Sequence, residues 1–189
     1  FSIPDPELYW SLFTLGAGMR LIRKENIDLI YTTSPPNSVH LAGYLLKQLT
    51  GKPWILDFRD PWTENKYAPY VSASRKQIEE FLEEKVLKLA DRVISISDPI
   101  NAGFTGKYTG LDPAKFTTIT NGFDLTEISG IQASIPDRNS RFTMVYTGSL
   151  YGHRTPEFFL KAMDELLKER PSLREKVQVI LVGNYSEYF

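Results

Sequence analysis

The sequence contains no cysteine and only two histidines, His40 and His153. The lack of cysteine excludes disulfide bonds, thiolate zinc sites and cysteine nucleophiles. Two histidines without any cysteine also argue against a histidine-based metal cluster. A chain of this composition is permitted in a reducing cytoplasmic compartment.

The sequence also lacks an excess of charge of either sign and a long apolar run. Its formal net charge at pH 7 is -1, which gives no general attraction to nucleic acid or to an anionic membrane. No apolar run reaches the ~20 residues that cross a bilayer, and no signal peptide is visible. The sequence begins at Phe1 rather than at Met, so we expect the natural N-terminus to lie upstream.

What the chain does contain is enough apolar residues for a core, in a repeating order. Its 189 residues are 42% hydrophobic, which suits one large domain or parts of two. Short apolar runs predict four strands, near residues 28–32, 54–58, 93–97 and 117–120. Apolar stripes at helical spacing separate these runs. The alternation predicts a parallel sheet covered by helices on both faces, a three-layer α/β fold.

A change of composition divides the chain. Residues 1–125 hold the four predicted strands, and residues 126–140, with Gly130 and Pro136, predict an interdomain linker. A new strand–helix–strand unit follows in residues 141–189. One such unit cannot bury both faces of a sheet. We therefore expect the second domain to be truncated and to pack poorly by itself.

Charged residues appear where the strand at 54–58 ends, in the sequence Arg59-Asp60-Pro61. Pro61 cannot continue a central strand, and ligands bind at the carboxyl ends of strands in open parallel sheets. A functional site and a simple solvent-exposed pair of Arg59 with Asp60 explain this position equally well. Asp57 is a weak partner for acid–base chemistry, because strand alternation sends Asp57 and Asp60 to opposite faces if the strand continues to residue 60.

The segment from Gly148 to Arg154 is the best candidate for an anion site. Glycine allows close approach of the backbone, the start of a helix at Thr155 offers free N–H groups, and Arg154 adds a permanent charge with a planar donor fork. The segment matches neither a Walker motif nor Gly-x-Gly-x-x-Gly, so kinase and dehydrogenase functions lack support. The alternative is a capped helix with one surface arginine.

The remaining polar residues do not indicate a hydrolytic site. His40 falls in the first turn of a helix predicted to begin at Ser38, where a packed or capping histidine is a more frequent case than a catalytic one. His153 suits a position beside a bound anion and a solvent-exposed position equally. Three serines follow strands, but none lies in a Gly-x-Ser-x-Gly elbow, which disfavours a hydrolase nucleophile. They are Ser34, Ser97 and Ser149.

Five segments occur in an order that carries a family resemblance. They are Ser34-Pro35-Pro36, Asp57-Phe58-Arg59-Asp60-Pro61-Trp62, Asp91-Arg92-Val93-Ile94-Ser95-Ile96-Ser97, Ile119-Thr120-Asn121-Gly122-Phe123-Asp124 and Tyr146-Thr147-Gly148-Ser149-Leu150. No single segment is specific, but together they resemble the large retaining glycosyltransferase family often called group 1, over about residues 25–183. The resemblance implies the GT-B fold, in which two Rossmann-like domains face each other across a cleft.

The resemblance also implies roles for particular residues. Arg59 and Asp60 stand where many members have a histidine followed by an acidic residue near the transferred sugar, and they are the implied catalytic residues. Gly148, Ser149 and Arg154 are implied to bind the donor diphosphate. Ser149 departs from the family pattern, because many members have a second basic residue there.

On the acceptor side, the residues implied are Ser34 and Asn121. The resemblance further implies a first strand and a glycine-rich loop before Phe1, and a motif with two glutamates after Phe189. The chain is therefore expected to be a fragment that is inactive alone.

The implied function is transfer, with retention, of a hexosyl-type sugar from a nucleotide-diphosphate sugar to a glycan or lipid-linked acceptor, in cell-surface polysaccharide or glycolipid biosynthesis. No metal or other cofactor and no nucleic-acid partner is expected. The expected location is cytoplasmic, and peripheral association with the inner face of the cell membrane stays open. Two alternatives stay open as well: a non-catalytic module that binds a glycan or a protein, and a Rossmann-type enzyme that processes sugar phosphates.

Overall fold

The computed structural model describes residues 2–65, 70, 72–129, 141–150 and 155–184. His153, Arg154 and most of the predicted linker lie outside these residues. The chain divides into two compact units, Phe1–Phe123 and Asp124–Phe189, and each is described by itself.

The first unit alternates helices with strands. Its elements are α1 (Leu8–Lys24), β1 (Ile30–Ser34), α2 (Ser38–Thr50), β2 (Trp54–Phe58), α3 (Ala73–Leu89), β3 (Arg92–Ser95), α4 (Asp98–Lys107) and β4 (Phe116–Thr118). The second unit contains α5 (Leu125–Ser129), β5 (Phe142–Thr147), α6 (Glu157–Glu169) and β6 (Val177–Val182). Helix α5 occupies the start of the segment for which a linker is predicted.

The first sheet has the order β1-β2-β3-β4, and every neighbouring pair is parallel. The prediction of four parallel strands is therefore confirmed, although β1 begins two residues later than the predicted range. Leu56 lies between Thr32 of β1 and Val93 of β3 in the register. The helical crossovers between successive strands explain the parallel arrangement, because a hairpin would have reversed the chain.

One face of this sheet carries the core. Trp54, Leu56 and Phe58 alternate with half-buried residues along β2 and are fully buried. They pack with Val86 of α3 and Phe104 of α4 in a single apolar cluster. Crossovers between parallel strands are right-handed in nearly all proteins, so a sheet whose strands follow chain order collects its crossover helices on one face.

The opposite face of the sheet is open to solvent in the described part of the chain. Tyr31 and Thr33 of β1 and Thr117 of β4 are exposed there. The described residues thus confirm an α/β Rossmann-like sheet with helices, but they contain no second helical layer on this face.

Helix α2 shows how local sequence positions the sheet. Gly51 ends the helix in the left-handed conformation, with φ of 69°, which glycine adopts without strain. Gly43 lies so close to β2 that an added Cβ would be 2.6 Å from Nε1 of Trp54. The helix begins at Ser38, whose backbone N–H donates to Oδ2 of Asp5 at 2.8 Å.

The second unit is a parallel β5–β6 pair with α6 between the two strands in sequence. Among its described residues only Leu150 is buried. Large apolar side chains are exposed on the helix and on the strand, including Phe158 at 77% and Val145 at 58% of their surface. The described residues of this unit form the expected secondary structure without a closed core.

Candidate functional site

The end of β2 brings two predicted site residues to the edge of the first sheet. The backbone N–H of Arg59 donates to the carbonyl of Ser34 at 3.2 Å, which fixes the end of β2 beside the end of β1. Asp60 follows, and Pro61, which has no backbone N–H, cannot continue the strand. Both Arg59 and Asp60 are exposed, and neither side chain forms an ion pair with another described residue. Their charges are therefore available to a ligand.

A cavity of about 260 Å³ lies at this edge. Its lining residues are Pro35, Arg59, Asp60, Ile96 and Asn121. The structure thus brings together Arg59, Asp60 and Asn121, which the sequence places in two distant segments. They meet because the carboxyl ends of parallel strands lie at one edge of the sheet.

A second cavity of about 240 Å³ shares Arg59, Ile96 and Asn121 with the first. It extends onto the open face of the sheet, where Asp57 accepts hydrogen bonds from the hydroxyls of Tyr31 and Thr33, both 2.7 Å from Oδ2. Burial and the neighbouring Asp57 raise the pKa of Tyr31 to about 12, so this phenol stays a neutral donor at pH 7. Asp57 and Asp60 line different but adjoining cavities, and because β2 ends at Phe58, strand alternation does not extend to Asp60.

Ser34 occupies a different position from the one expected of an acceptor-side residue. Its side chain is only 1% exposed and points to the buried face of the sheet. Ser34 is the last residue of β1, whereas the predicted strand ends near residue 32. It supports the site through its carbonyl, which accepts from the Arg59 N–H, and its hydroxyl does not line either cavity.

His40 is a core residue. Its side chain is fully buried, and its ring lies 4.7 Å from the ring of Phe58. Trp54 Nε1 donates to Oγ1 of Thr32, which leaves the Thr32 hydroxyl to donate to Nδ1 of His40 at 2.9 Å. Burial lowers the pKa of His40 to about 3. The interpretation of His40 as a packed rather than a catalytic histidine is confirmed.

In the second unit, Gly148 follows β5 with φ of 153°, and its N–H donates to the carbonyl of Val182 at 2.9 Å. A Cβ added to Gly183 would lie 1.9 Å from the carbonyl oxygen of Gly148. Two glycines therefore let the loops after β5 and β6 approach backbone to backbone. Ser149 is exposed beside them. Arg154, the charged residue predicted for this loop, lies outside the described residues.

Neither a metal cluster nor a membrane span is found where the structure can be described. No group of three His, Asp or Glu side chains among the described residues could hold a metal ion. No helix in the same ranges combines the length and the apolar character needed to cross a membrane.

The family model described as Glycosyltransferase Family 4 matches residues 1–127. The chain belongs to this family. The match confirms the resemblance drawn from the five segments, and it includes Arg59, Asp60 and Asn121. The segment with Gly148, Ser149 and Arg154 lies beyond the matched residues.

Curated relatives support the same family. The D-inositol 3-phosphate glycosyltransferase of Thermobifida fusca (strain YX) is 30% identical over 109 residues, which are 55% of this chain and 25% of the relative. The enzyme of the same name from Kineococcus radiotolerans is 26% identical over 110 residues, with 55% and 25% covered. The chain matches only about a quarter of the length of these relatives.

Solved structures with low sequence identity share the fold. The lipopolysaccharide outer core galactosyltransferase WaaB in its apo form aligns with a TM-score of 0.55 at 13% identity, covering 97% of this chain and 52% of that chain. Sucrose-phosphate synthase from Thermosynechococcus elongatus gives the same TM-score, identity and coverage. These likenesses, with the parallel sheet and its helices, establish the α/β Rossmann-like fold of this Family 4 chain.

Sequence reasoning missed two buried acidic residues that the Family 4 chain places beside its site. Glu79 and Glu83 of α3 are buried and accept hydrogen bonds from Trp62 and Thr63, the residues that follow Pro61. A signal existed in the sequence, because positions 79, 83 and 86 share one helical face with four- and three-residue spacing. Acidic residues on a helix are usually exposed, which is why the pattern did not reveal them.

Proposed function

We propose that this protein is a glycosyltransferase that moves a hexosyl-type sugar from a nucleotide-diphosphate sugar to a glycan or lipid-linked acceptor with retention, in cell-surface polysaccharide or glycolipid biosynthesis. The observation that carries the proposal is the convergence of Arg59, Asp60 and Asn121 on one cavity in a chain of Glycosyltransferase Family 4. Carboxylate, guanidinium and amide groups at a strand edge suit a ligand rich in hydroxyl groups.

The chemistry assigns Asp60 a role at the reacting carbon. Transfer from a nucleotide sugar develops positive character at the anomeric carbon and negative charge on the departing diphosphate. A carboxylate without an ion-pair partner can offset the positive centre or orient sugar hydroxyls. Arg59, which borders both cavities, supplies a charged donor fork for the acceptor or for the transferred sugar.

The donor side is proposed for the loop after β5. Ser149 and Arg154 would hold the diphosphate through the Ser149 N–H and one guanidinium, and Gly148, whose own N–H donates to Val182, would let the diphosphate approach the backbone closely. The close approach of the Gly148 and Gly183 backbones supports a loop built from main chain rather than from side chains. We propose that this interaction needs no metal or other cofactor, because an arginine and a helix N-terminus can stabilise the leaving diphosphate.

A second acceptor class is favoured by the names of the relatives. Two curated relatives are D-inositol 3-phosphate glycosyltransferases, so a phosphorylated cyclic polyol is a further candidate. The exposed guanidinium of Arg59, unpaired among the described residues, suits a phosphate group. For a lipid-linked acceptor, the proposed location is cytoplasmic, at the inner face of the cell membrane.

The proposal is tested on the full-length protein with UDP-, GDP- and ADP-sugars. A donor that binds should raise the melting temperature by mass action, and a glycan, a lipid-linked sugar or inositol phosphate should then receive the sugar. The anomeric configuration of the product, read by NMR, decides retention. A protein that binds a glycan but neither binds nor consumes any nucleotide sugar would be the non-catalytic module instead.

A further inference from the structure

Helix α3 holds the segment after Asp60 through two buried carboxylates. Glu79 and Glu83 lie one helical turn apart and are 4% and 1% exposed. Oε2 of Glu79 accepts from Nε1 of Trp62 at 2.9 Å, and its Oε1 accepts from Nε of Arg75 at 2.8 Å. Trp62, two residues after Asp60, is thereby tied to the helix by a charge-assisted hydrogen bond.

Glu83 holds the next residue more tightly. Its Oε1 accepts from the backbone N–H of Thr63 at 3.0 Å, and its Oε2 accepts from the Thr63 hydroxyl at 2.5 Å. The hydroxyl of Tyr108 donates to the same Oε2 at 2.5 Å, and Nζ of Lys107 lies 3.7 Å away. Burial raises the pKa of Glu83, while the donors from Thr63 and Tyr108 oppose that rise.

Stability alone does not account for this arrangement. Burying a carboxylate costs several kcal/mol, and well-packed apolar residues of similar volume are often as stabilising as a buried ionic group. Two such groups on one helix, both directed at consecutive residues of one turn, fix a geometry that apolar packing would leave less defined. Hydrogen bonds to a backbone N–H and to an indole N–H are directional, so they fix where these groups lie as well as keeping them in contact with α3.

The turn between these anchors carries the proposed catalytic residues. Its first residue, Arg59, is held by the carbonyl of Ser34, and its last residues, Trp62 and Thr63, are held by α3. Between the anchors, the Arg59 and Asp60 side chains have no ion-pair partner in the described ranges. The direction of Asp60 into its cavity is therefore set by the two ends of the turn.

We infer that Glu79 and Glu83 are positioning residues that set the orientation of Asp60 and Arg59 at the reacting sugar by fixing Trp62 and Thr63. This inference rests on the proposed glycosyltransferase function. Neither glutamate lines either cavity, so neither is assigned contact with a substrate.

The decisive variant is Glu83→Gln in the full-length enzyme. Its matched control is Glu84→Gln, the same substitution at the next position of α3, where Glu84 pairs with Lys88 on the surface. A small misplacement of a catalytic group can cost up to ~100-fold in rate. We expect Glu83→Gln to lower kcat at least ~10-fold with donor KM changed less than ~2-fold, and Glu84→Gln to leave both unchanged.

A merely structural role gives a different pattern. It would lower the melting temperature of Glu83→Gln and leave kcat intact at temperatures well below that midpoint, and this result overturns the inference. A second pair of variants keeps the test valid if Glu83→Gln fails to fold. Thr63→Val removes the hydroxyl that donates to Glu83 and accepts from Nζ of Lys107, and Thr63→Ser keeps that hydroxyl. We expect loss of kcat in the valine variant and recovery in the serine variant; equal kcat in both contradicts the inference.

Backbone amide NMR distinguishes a failure of the positioning role from a failure of the proposed function. If wild-type protein transfers no sugar from any nucleotide sugar, the proposed function fails. The backbone amide resonances of Arg59 and Asp60 then decide the positioning claim, because Pro61 has no amide proton and the Thr63 N–H donates directly to Glu83. They should shift in Glu83→Gln and not in Glu84→Gln, and unchanged resonances in both variants overturn it.

Discussion

The two units share a strand–helix rhythm but differ in what they bury. In the first unit, β2 is covered by α3 and α4, and Trp54, Leu56 and Phe58 are fully buried. In the second unit, β5 and β6 pair correctly, yet Leu150 is the one buried residue among those described there. A sequence can therefore form the correct strands and helices without burying a closed core.

The two units differ in the interactions that stabilise them. Four strands and their helices provide enough apolar surface to bury one face of the first sheet. A sheet of two strands is marginal by itself, and the described geometry of the second unit depends on backbone contacts, such as the approach of Gly148 to Gly183. The first unit should therefore be stable by packing, and the second should not.

Hydrogen exchange gives the largest contrast between the units. In dilute solution of this chain, amides of β2 should exchange only through global or near-global opening, whereas amides of β6 should exchange through local opening. We expect protection factors that differ by ~1000-fold or more, measured by NMR or mass spectrometry. Equal protection of β2 and β6 in a dilute monomer would show that the second unit has a closed core.

A matched pair of leucine truncations compares the packing directly. Leu56→Ala removes a fully buried side chain from β2 and should cost ~2–5 kcal/mol of unfolding free energy. Leu160→Ala in α6 removes a side chain that is 46% exposed and should cost less than ~1 kcal/mol. Urea denaturation followed by circular dichroism measures both. Similar losses in the two variants would remove the contrast between the units.

Acid should destabilise the first unit through His40. Its folded pKa of about 3 lies below the ordinary value of 6.5, so the unfolded state binds more protons between these values and stability falls as pH falls below about 6.5. At pH 5 the loss relative to pH 7 should be ~2 kcal/mol. NMR should show no His40 imidazole titration above pH ~4 in the folded state. Titration near pH 6.5 in the folded chain would contradict the burial of His40.

Most of the first sheet could be predicted because its strands are short apolar runs separated by amphipathic helices. The pattern did not fix the end of β1, and a shift of two residues placed Ser34 in the strand, with its side chain on the buried face. It also could not show that strand order leaves Tyr31 on an open face. That outcome depends on topology, which local periodicity does not encode.

Only part of the site was predictable, because local sequence does not encode tertiary contacts. Arg59 and Asp60 follow a strand directly, and Asn121 follows another, so the strand-end rule places all three at one edge. Glu79 and Glu83 act across a tertiary contact with Trp62 and Thr63. Nothing in the local sequence of α3 links them to a turn that lies about 20 residues earlier.

If the first unit supplies an acidic catalytic residue at its sheet edge, the turnover of Asp60→Asn in the full-length enzyme should reveal it. Asparagine keeps the shape of the side chain and can accept a similar hydrogen bond, but it carries no charge. If the carboxylate stabilises the developing positive charge, turnover should fall at least ~10-fold, with donor KM and melting temperature close to those of the wild type. Wild-type turnover in Asp60→Asn would show that the Asp60 carboxylate takes no part in the chemistry.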